Sequence, residues 1–444
     1  MGLFANLDDA VDVNTPVKKK PRRWAEKASA HPAACHARAF LRRVRFDVEH
    51  AKLRRVTFGA GSFTAVLLLS ACGTTEEKAD TVESNANKYL VYFGTYTGEE
   101  SQGIYVSRFN AATGEATSPV LAAEATDPNF LAVHPSRRFL YAVSRTQGQG
   151  GQPIGTVVSF AIDKVTGKLA LLNTVSSGGP DPTHLNVDHT GRAVVVADYV
   201  GGCVSALPVN EDGRLREISA FVQHTGSSVD SERRKAPHAH SVNFSPDNRF
   251  VVAADLGLDK LLVYRFDAEA GSLVANDPAF AQVAPGAGPR HFTFHPDGKF
   301  AYAINEQQST VTAFTYAAER GALDELQTIS TLPKDFAGTN STAEVLAHPS
   351  GRFLYGSNRG HDSIAVFAVD SDKGTLTPVE HVSTQGERPR NFQIDPTGRY
   401  LFAANQSADN VVVFRIDAEA GRLSPTGQVL EIDSPVCVRF VALD

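Results

Sequence analysis

Histidine, arginine and glutamate recur at one place in a repeated sequence pattern. The segments read Pro-His-Ala-His-Ser at 237–241, Pro-Arg-His at 289–291, Ala-Glu at 343–344 and Pro-Arg-Asn at 389–391. Each lies where an apolar run becomes polar. Imidazoles and carboxylates serve proteins as acids and bases, and guanidinium groups bind anions. If these segments meet in space, they indicate an anion-binding or acid–base site.

The repeat that carries these residues consists of short apolar runs separated by turns. Its first two runs, joined by a turn with Pro or Gly, occur at 130–144, 184–198, 241–255, 291–305, 345–358 and 391–405. A third and a fourth run follow, as at 410–416 and 420–423. Runs rich in Val, Phe and Tyr and bounded by Gly, Pro, Asp and Asn are typical of strands and hairpins. Four strands in about fifty residues predict a propeller blade.

The two ends of the pattern predict how the blades close into a ring. Residues 89–96 match a second strand that has no first strand before it, and residues 435–441 match a first strand with nothing after it. The C-terminal strand would therefore join the N-terminal blade. This gives an all-β, seven-bladed β-propeller over 89–444 without a long free sheet edge. An open array or a two-domain β protein is the alternative.

Hairpin geometry predicts which polar residues face one another. Residues equidistant from a hairpin turn are neighbours on antiparallel strands. The predicted neighbours are Arg290 with Glu306, His240 with 255–256, Glu344 with 358–359, Arg390–Asn391 with 405–406, and His184 with 198–199. All lie at one end of their hairpins, and the first strand of a blade lines the channel, so we expect one polar mouth. For any single residue, an inter-blade ion pair is the alternative.

Several segments of the chain are similar to the seven-bladed β-propeller lactonase family. This family includes bacterial propeller-type 6-phosphogluconolactonases and fungal carboxymuconate-lactonising enzymes. The resemblance covers about 89–444 and is strongest at 94–97, 236–247, 254–257, 288–298, 305–306 and 357–360. It implies a hydrolase that opens a sugar-acid lactone. A muconate-type cycloisomerase and a non-enzymatic binding propeller at the cell envelope are the alternatives.

The resemblance also implies roles for individual residues. His240, Arg290, Glu306 and Arg359 match the polar residues that the muconate branch places around its ligand. We assign Glu306 or His240 as the base and the two arginines as anion holders, with Arg290 keeping Glu306 ionised. A second, substrate-binding ring would consist of His184, His238, His291, Glu344, Arg390 and Asn391.

The histidines and cysteines of the chain bear on cofactors and on nucleophilic chemistry. No cofactor is expected, and no cluster has strong metal-ligand spacing, although His238 and His240 could join a cation bound in the channel. Cys203 and Cys437 are expected to be buried strand residues rather than nucleophiles. Gln307 and Gln308 depart from the family, whose members often carry an apolar residue and a serine there. We expect a monomer that binds a small lactone or sugar acid.

The N-terminal part of the chain differs in charge from the rest. The chain has a net charge of −6, yet residues 1–71 hold 13 Lys and Arg against 6 Asp and Glu. The remainder is therefore more acidic than the average, which argues against nucleic acid as the partner. The basic stretch 16–45 is interpreted as an unstructured leader, with a nucleic-acid arm as the alternative. Four cysteines in 444 residues exclude a disulfide-dense scaffold.

Residues 52–73 are typical of a bacterial export signal. A cationic stretch at 52–55 precedes an apolar run at 58–69 and then Ser-Ala-Cys-Gly. The Leu-Ser-Ala-Cys run resembles a lipobox, so Cys72 is the expected lipidation site and the only membrane contact. Arg54-Arg55 resembles a twin-arginine signal more weakly. The alternative is a buried apolar segment with an incidental cysteine.

This interpretation divides the chain into leader, tether and propeller. Residues 1–71 would be the leader and 72–88 a flexible tether. Since the signal begins about fifty residues into the chain, we expect 1–47 to lie outside the native product, which would start at Val48. We expect a lipid-anchored protein of the bacterial cell envelope or periplasm. There the phosphorylated lactone made in the cytoplasm is absent, so the family's usual name can misstate the substrate.

Overall fold

The structure is a computed structural model and describes residues 87–443, except 99, 148–150 and 230–234. In this part of the chain every regular element is a β-strand, and the strands form seven antiparallel sheets. The predicted all-β, seven-bladed β-propeller is therefore confirmed. No helix of the described part is long and apolar enough to cross a membrane. Cys72, the leader and all but the last two residues of the predicted tether lie outside the described residues.

Each blade runs outward from an inner strand beside the channel. The inner strands are Pro435–Ala442, Leu131–Val133, Pro182–Val187, Ala239–Phe244, Pro289–Phe294, Ser341–Ala347 and Pro389–Ile394. The second strands are Lys88–Thr95, Phe139–Gln147, Ala193–Asp198, Phe250–Asp255, Phe300–Asn305, Phe353–Arg359 and Tyr400–Asn405. We number the blades 1 to 7 in this order. Consecutive inner strands pack against each other around the ring.

The third and outer strands complete each sheet. The third strands are Gly103–Asn110, Pro153–Ile162, Cys203–Pro208, Lys260–Asp267, Thr310–Ala317, Ser363–Val369 and Asn410–Ile416. The outer strands are Val120–Glu124 with the short Glu115–Ala116, Leu169–Ser176, Ala220–Gln223, Ser272–Gln282, Ala322–Ser330, Leu376–Ser383 and Leu423–Glu431.

The C-terminal strand closes the ring as predicted. Pro435–Ala442 pairs antiparallel with Lys88–Thr95, with Tyr89 opposite Ala442 and Phe93 opposite Val438. Blade 1 therefore contains both ends of the described chain, and no sheet is left open between blades 7 and 1. Closure of this kind removes the free edge that an open array would expose.

The second strands explain the strongest apolar runs in the sequence. Ala193–Asp198, Phe300–Asn305 and Tyr400–Asn405 are buried along their whole length. They lie inside their sheets, and the sheets pack face to face with neighbouring blades, so both faces are covered. A strand covered on both faces reads as a continuous rather than an alternating apolar run.

A small polar residue at or near the end of each second strand, here called its cap, makes side-chain hydrogen bonds to neighbouring segments. Asn358 donates from Nδ2 to the Thr331 carbonyl at 2.8 Å and accepts at Oδ1 from the Thr331 hydroxyl at 2.7 Å. Asp198 accepts backbone N–H groups of Asp181 and Gly201 at 2.8 and 2.7 Å. Such local side-chain bonds satisfy backbone groups where the ladder stops. The residue that follows each cap is therefore held in a defined place at the end of the blade.

Inner strands carry a β-bulge at nearly the same position. The register shifts fall at Val436, Thr183, His240, Arg290, Ala343–Glu344 and Arg390. A bulge adds an unpaired residue, bends the strand and re-aims its side chains. Three of these six bulges thus carry a histidine or arginine predicted for the site.

The bulges change three of the predicted pairings. Glu344 lies opposite Ser357, whose hydroxyl accepts its N–H at 2.9 Å, rather than opposite 358–359. His184 pairs with Ala197 rather than with 198–199. Asn391 pairs with Ala404 rather than with 405–406. These three predictions were wrong by one residue or more because counting from the turn assumes a regular ladder, which an inserted residue shifts.

Candidate active site

An ion-pair cluster with two buried arginines lies at the predicted mouth. The Arg290 Nε is 3.0 Å and the Arg359 Nη2 is 2.8 Å from the same oxygen, Oε2 of Glu306. Glu306 directly follows the second strand of blade 5, and Arg359 is the last residue of the second strand of blade 6. The predicted neighbours Arg290 and Glu306 are therefore in contact, and the structure adds Arg359 to them.

Backbone carbonyls of blade 6 fix both guanidinium groups. Arg290 donates from Nη1 to the Ala343 carbonyl, and Arg359 donates from Nη2 to the Thr342 carbonyl, each at 2.7 Å. Arg290 is only 2% exposed. A guanidinium held at two points presents its remaining N–H groups in a fixed direction, which suits recognition of carboxylate or phosphate.

The cluster carries more positive than negative charge. Glu306 is the carboxylate between Arg290 and Arg359, and both arginines also feel the charge of Arg390. Within the described residues, no carboxylate lies within ion-pair distance of Arg390. Burial raises the pKa of Glu306, but the three guanidinium groups outweigh it and hold the pKa below its ordinary value. Uncompensated buried charge of this kind favours an anionic ligand.

Three histidines lie one layer deeper around the channel. The His291 ring centroid is 5.3 Å from those of both His240 and His184. Burial, followed by neighbouring imidazole and guanidinium groups, lowers the pKa of all three well below the ordinary value. They are therefore neutral near pH 7 and able to accept a proton.

Glu344 and Asn391, both predicted for the second ring, contact one another in this deeper layer. Glu344 accepts the Asn391 amide at Oε2 and lies 2.7 Å from Nδ1 of His291 at Oε1. The remaining second-ring residue, His238, stacks on the Tyr199 ring at 4.5 Å. The Tyr199 ring in turn lies 5.6 Å from the His240 ring. His238 therefore lies beside the three histidines of the deeper layer rather than among them.

A cavity of about 350 Å³ continues from this layer along the channel. His184, His291 and Glu344 line it, together with Phe130 and Arg439. The other lining residues lie nearer the hairpin turns than the histidines do, and include Asn186, Asn243, Thr293 and Gln393. The guanidinium cluster and this cavity therefore lie on opposite sides of the histidine layer.

Sequence reasoning missed several residues at the mouth. The Tyr96 ring lies 5.5 Å from the Arg390 guanidinium and 5.8 Å from that of Arg145, whose Nε is 3.2 Å from Asp181. The sequence does contain a signal for Tyr96 and Arg145. They occupy the same position in their repeats as the predicted residues Glu306 and Arg359. The residues that follow the caps are Tyr96, Arg145, Tyr199, Leu256, Glu306, Arg359 and Gln406.

Other expectations concern metals and cysteines. No group of three or more His, Cys, Asp or Glu residues placed to hold a metal ion occurs in the part of the chain that the structure describes. Cys203 and Cys437 are both buried in strands, as predicted. Burial raises the pKa of the Cys203 thiol to about 12, which makes it a poor nucleophile.

The chain belongs to the seven-bladed β-propeller lactonase family. The family model described as Lactonase, 7-bladed beta-propeller matches residues 90–440. The resemblance seen in the sequence is therefore confirmed.

Individual relatives match most of the chain. The chain is 39% identical over 354 residues to a 6-phosphogluconolactonase of Bacillus subtilis, covering 80% of this chain and 99% of that one. It is 36% identical over 309 residues to a 6-phosphogluconolactonase of Formosa agariphila, with coverage of 69% and 86%. Among solved structures, the periplasmic gluconolactonase of Pseudomonas aeruginosa is 37% identical with a TM-score of 0.76, and 80% of this chain covers 100% of that one.

Proposed function

We propose that this protein hydrolyses lactones of sugar acids at the channel mouth, where Arg290, Glu306 and Arg359 adjoin the histidine layer that contains His240. The observation that carries the proposal is the excess of fixed guanidinium groups beside a layer of neutral imidazoles. Relatives named 6-phosphogluconolactonase and gluconolactonase support the same reaction class.

The chemistry of lactone hydrolysis accounts for this arrangement. A base must remove a proton from water as the water attacks the carbonyl carbon, and positive groups must stabilise the oxyanion that forms. Arg290 and Arg359 have the charge and orientation for the second task. Glu306 is a weak base because two guanidinium groups stabilise its ionised form. Glu306 therefore suits holding the arginines, and an imidazole suits the role of base.

A lactone panel in a pH-stat tests the proposal. The panel contains 6-phosphogluconolactone, gluconolactone and an unsaturated muconate lactone, each corrected for spontaneous hydrolysis. Enzymatic release of one acid equivalent per ring opened supports the hydrolase. Rates equal to the uncatalysed rates throughout the panel would overturn it, and interconversion of the unsaturated diacid and its lactone without hydrolysis would indicate a cycloisomerase. Binding without turnover would indicate a binding propeller.

Arg390 is proposed to select lactones that carry an acid group. We expect Arg390→Gln to lower kcat/KM for the phosphorylated lactone by about 10- to 100-fold, because a hydrogen bond to a charged group contributes roughly 1.5–3 kcal/mol. Turnover of neutral gluconolactone should stay within about threefold. The measurement is kcat/KM for both substrates.

The matched control is Arg415→Gln, which removes an exposed arginine from the third strand of the same blade. It should leave both rates unchanged. If Arg390→Gln lowered kcat/KM equally for the two substrates, a role of Arg390 in selecting the acid group would be contradicted.

We also propose that the protein is lipid-anchored in the bacterial cell envelope through Cys72. The support is the cationic and apolar sequence before that cysteine, and one similar protein is described as periplasmic. In a bacterial host, labelled fatty acid should enter the wild-type protein, and Cys72→Ala should lose the label and leave the membrane fraction. Equal labelling of both proteins would contradict the proposal.

A further inference from the structure

His291 and Glu344 form a buried imidazole–carboxylate pair between the inner strands of blades 5 and 6. Nδ1 of His291 lies 2.7 Å from Oε1 of Glu344, and the two side chains are 5% and 6% exposed. Two further donors hold the carboxylate, since the Val345 N–H reaches Oε1 at 3.0 Å and the Asn391 amide reaches Oε2. Asn391 is itself fixed by the Val438 N–H at 2.9 Å.

These contacts determine which nitrogen of His291 is available for chemistry. Burial raises the pKa of Glu344, and the guanidinium groups of Arg439 and Arg290 oppose this effect. The carboxyl group receives N–H donors from the backbone and from Asn391, which is the arrangement for an ionised carboxylate that only accepts hydrogen bonds. Nδ1 of His291 therefore carries the proton, and Nε2 is left with a lone pair. An imidazole oriented in this way by a carboxylate has the arrangement that activates nucleophiles in hydrolases.

The pair lies next to His240 and lines the channel cavity. His291 directly follows Arg290 in the chain, and its ring lies 5.3 Å from that of His240. His291 and Glu344 also line the cavity of about 350 Å³. Since a water molecule occupies about 30 Å³ of liquid, the cavity has room for several beside the imidazole.

We propose that His291 is the general base of the hydrolysis and that Glu344 is its positioning residue. This inference rests on the proposed lactonase function and departs from the expectation that Glu306 or His240 is the base. Glu306 is held between two guanidinium groups. The Nδ1 atom of His240 is buried and has no hydrogen-bond partner in the described structure, so no carboxylate orients that ring through Nδ1 as Glu344 orients His291.

The reaction then balances without a further reactant. Water attacks the lactone carbonyl carbon while one of its protons passes to Nε2 of His291, which becomes an imidazolium stabilised by Glu344. The guanidinium groups of Arg290 and Arg359 stabilise the oxyanion. When the intermediate collapses, the ring C–O bond breaks and the imidazolium proton passes to the leaving oxygen. The product is the open-chain hydroxy acid, and His291 is neutral again.

The charged groups around His291 determine how its pKa responds to mutation. The groups that face it are the guanidinium groups of Arg290, Arg359, Arg390 and Arg439, the imidazoles of His240 and His184, and the carboxylate of Glu344. Burial and the guanidinium groups lower the pKa of His291. The carboxylate of Glu344 is in contact with Nδ1, and a negative charge there favours the protonated imidazole. Removing the charge of Glu344 should therefore lower that pKa further.

The test compares variants of the full-length protein on the lactone that the wild type turns over. His291→Gln should lower kcat by at least about 100-fold, within the range of general-base contributions. Glu344→Gln should lower kcat by at least about tenfold and move the acid limb of the kcat/KM profile to lower pH, which a purely structural role would not do. Added imidazole should partly restore activity to His291→Ala but not to Arg290→Ala.

His295→Gln is the matched control. His295 belongs to the same blade and also pairs with a carboxylate, Asp297, at 2.7 Å, but it lies at the turn end of the hairpin. Its kcat and pH profile should match the wild type. Absent turnover by the wild type would overturn the proposed function and this inference with it. Turnover that His291→Gln retains, or an acid limb unmoved in folded Glu344→Gln, would overturn this inference alone.

Discussion

Arg290→Ala is expected to lower kcat/KM for the lactone by about 100-fold or more, consistent with the 10²–10³ effect of removing one oxyanion donor. Arg290 is almost fully buried and is held by Glu306 and by the Ala343 carbonyl. It therefore needs no reorganisation to face developing negative charge. Steady-state kinetics on the lactone measure the effect.

Arg290→Lys separates charge from geometry at the same position. An ammonium group on a flexible stem cannot reproduce the planar fork that contacts Glu306 and the Ala343 carbonyl together. We expect a loss of at least about tenfold although the charge is retained. Arg352→Ala is the control, because Arg352 is about half exposed and pairs with the exposed Glu419. A folded Arg290→Ala protein with activity within threefold of the wild type would show that Arg290 does not stabilise the transition state.

Much of this architecture could be predicted because the sequence repeats. One ambiguous apolar run cannot distinguish a strand from a buried helix segment, but runs in the same order with the same turns reinforce one another. The incomplete patterns at 89–96 and 435–441 complement each other, and this predicted the closing strand. The polar mouth followed from the position of Arg290 and Glu306 relative to one turn.

Two features of the site could not be predicted from the residue spacing. The bulges at Arg290 and Glu344 insert residues whose presence the hairpin count does not reveal. The contact between His291 and Glu344 joins two blades across 53 positions of the chain. Such contacts depend on how twisted sheets pack around the channel, which is a tertiary property. The layer that contains His291 was therefore predicted as an accessory ring.

Glu306→Gln is expected to lower the free energy of unfolding by about 3 kcal/mol at pH 7, since breaking a buried ion pair leaves uncompensated charge. Arg290, Arg359 and the neighbouring Arg390 would then lack the carboxylate that separates their charges. Urea unfolding of wild type and variant measures the loss. Inorganic phosphate should bind the variant more tightly than the wild type and restore part of the stability, because a bound anion replaces the missing charge.

The pH dependence of this loss has a definite sign. The pKa of Glu306 is lower in the folded protein than its ordinary value, so its stabilising contribution is present above the ordinary carboxyl range and disappears as pH falls through the folded pKa. The difference in free energy of unfolding between the wild type and Glu306→Gln should therefore become smaller as the pH is lowered. Glu380→Gln is the matched control, because Glu380 is 17% exposed against 16% for Glu306 but pairs with the exposed Arg422. Glu380→Gln should lower the free energy of unfolding by no more than about 1 kcal/mol. Equal losses for the two variants, with phosphate binding unchanged, would show that Glu306 is not the counter-charge of the arginine cluster.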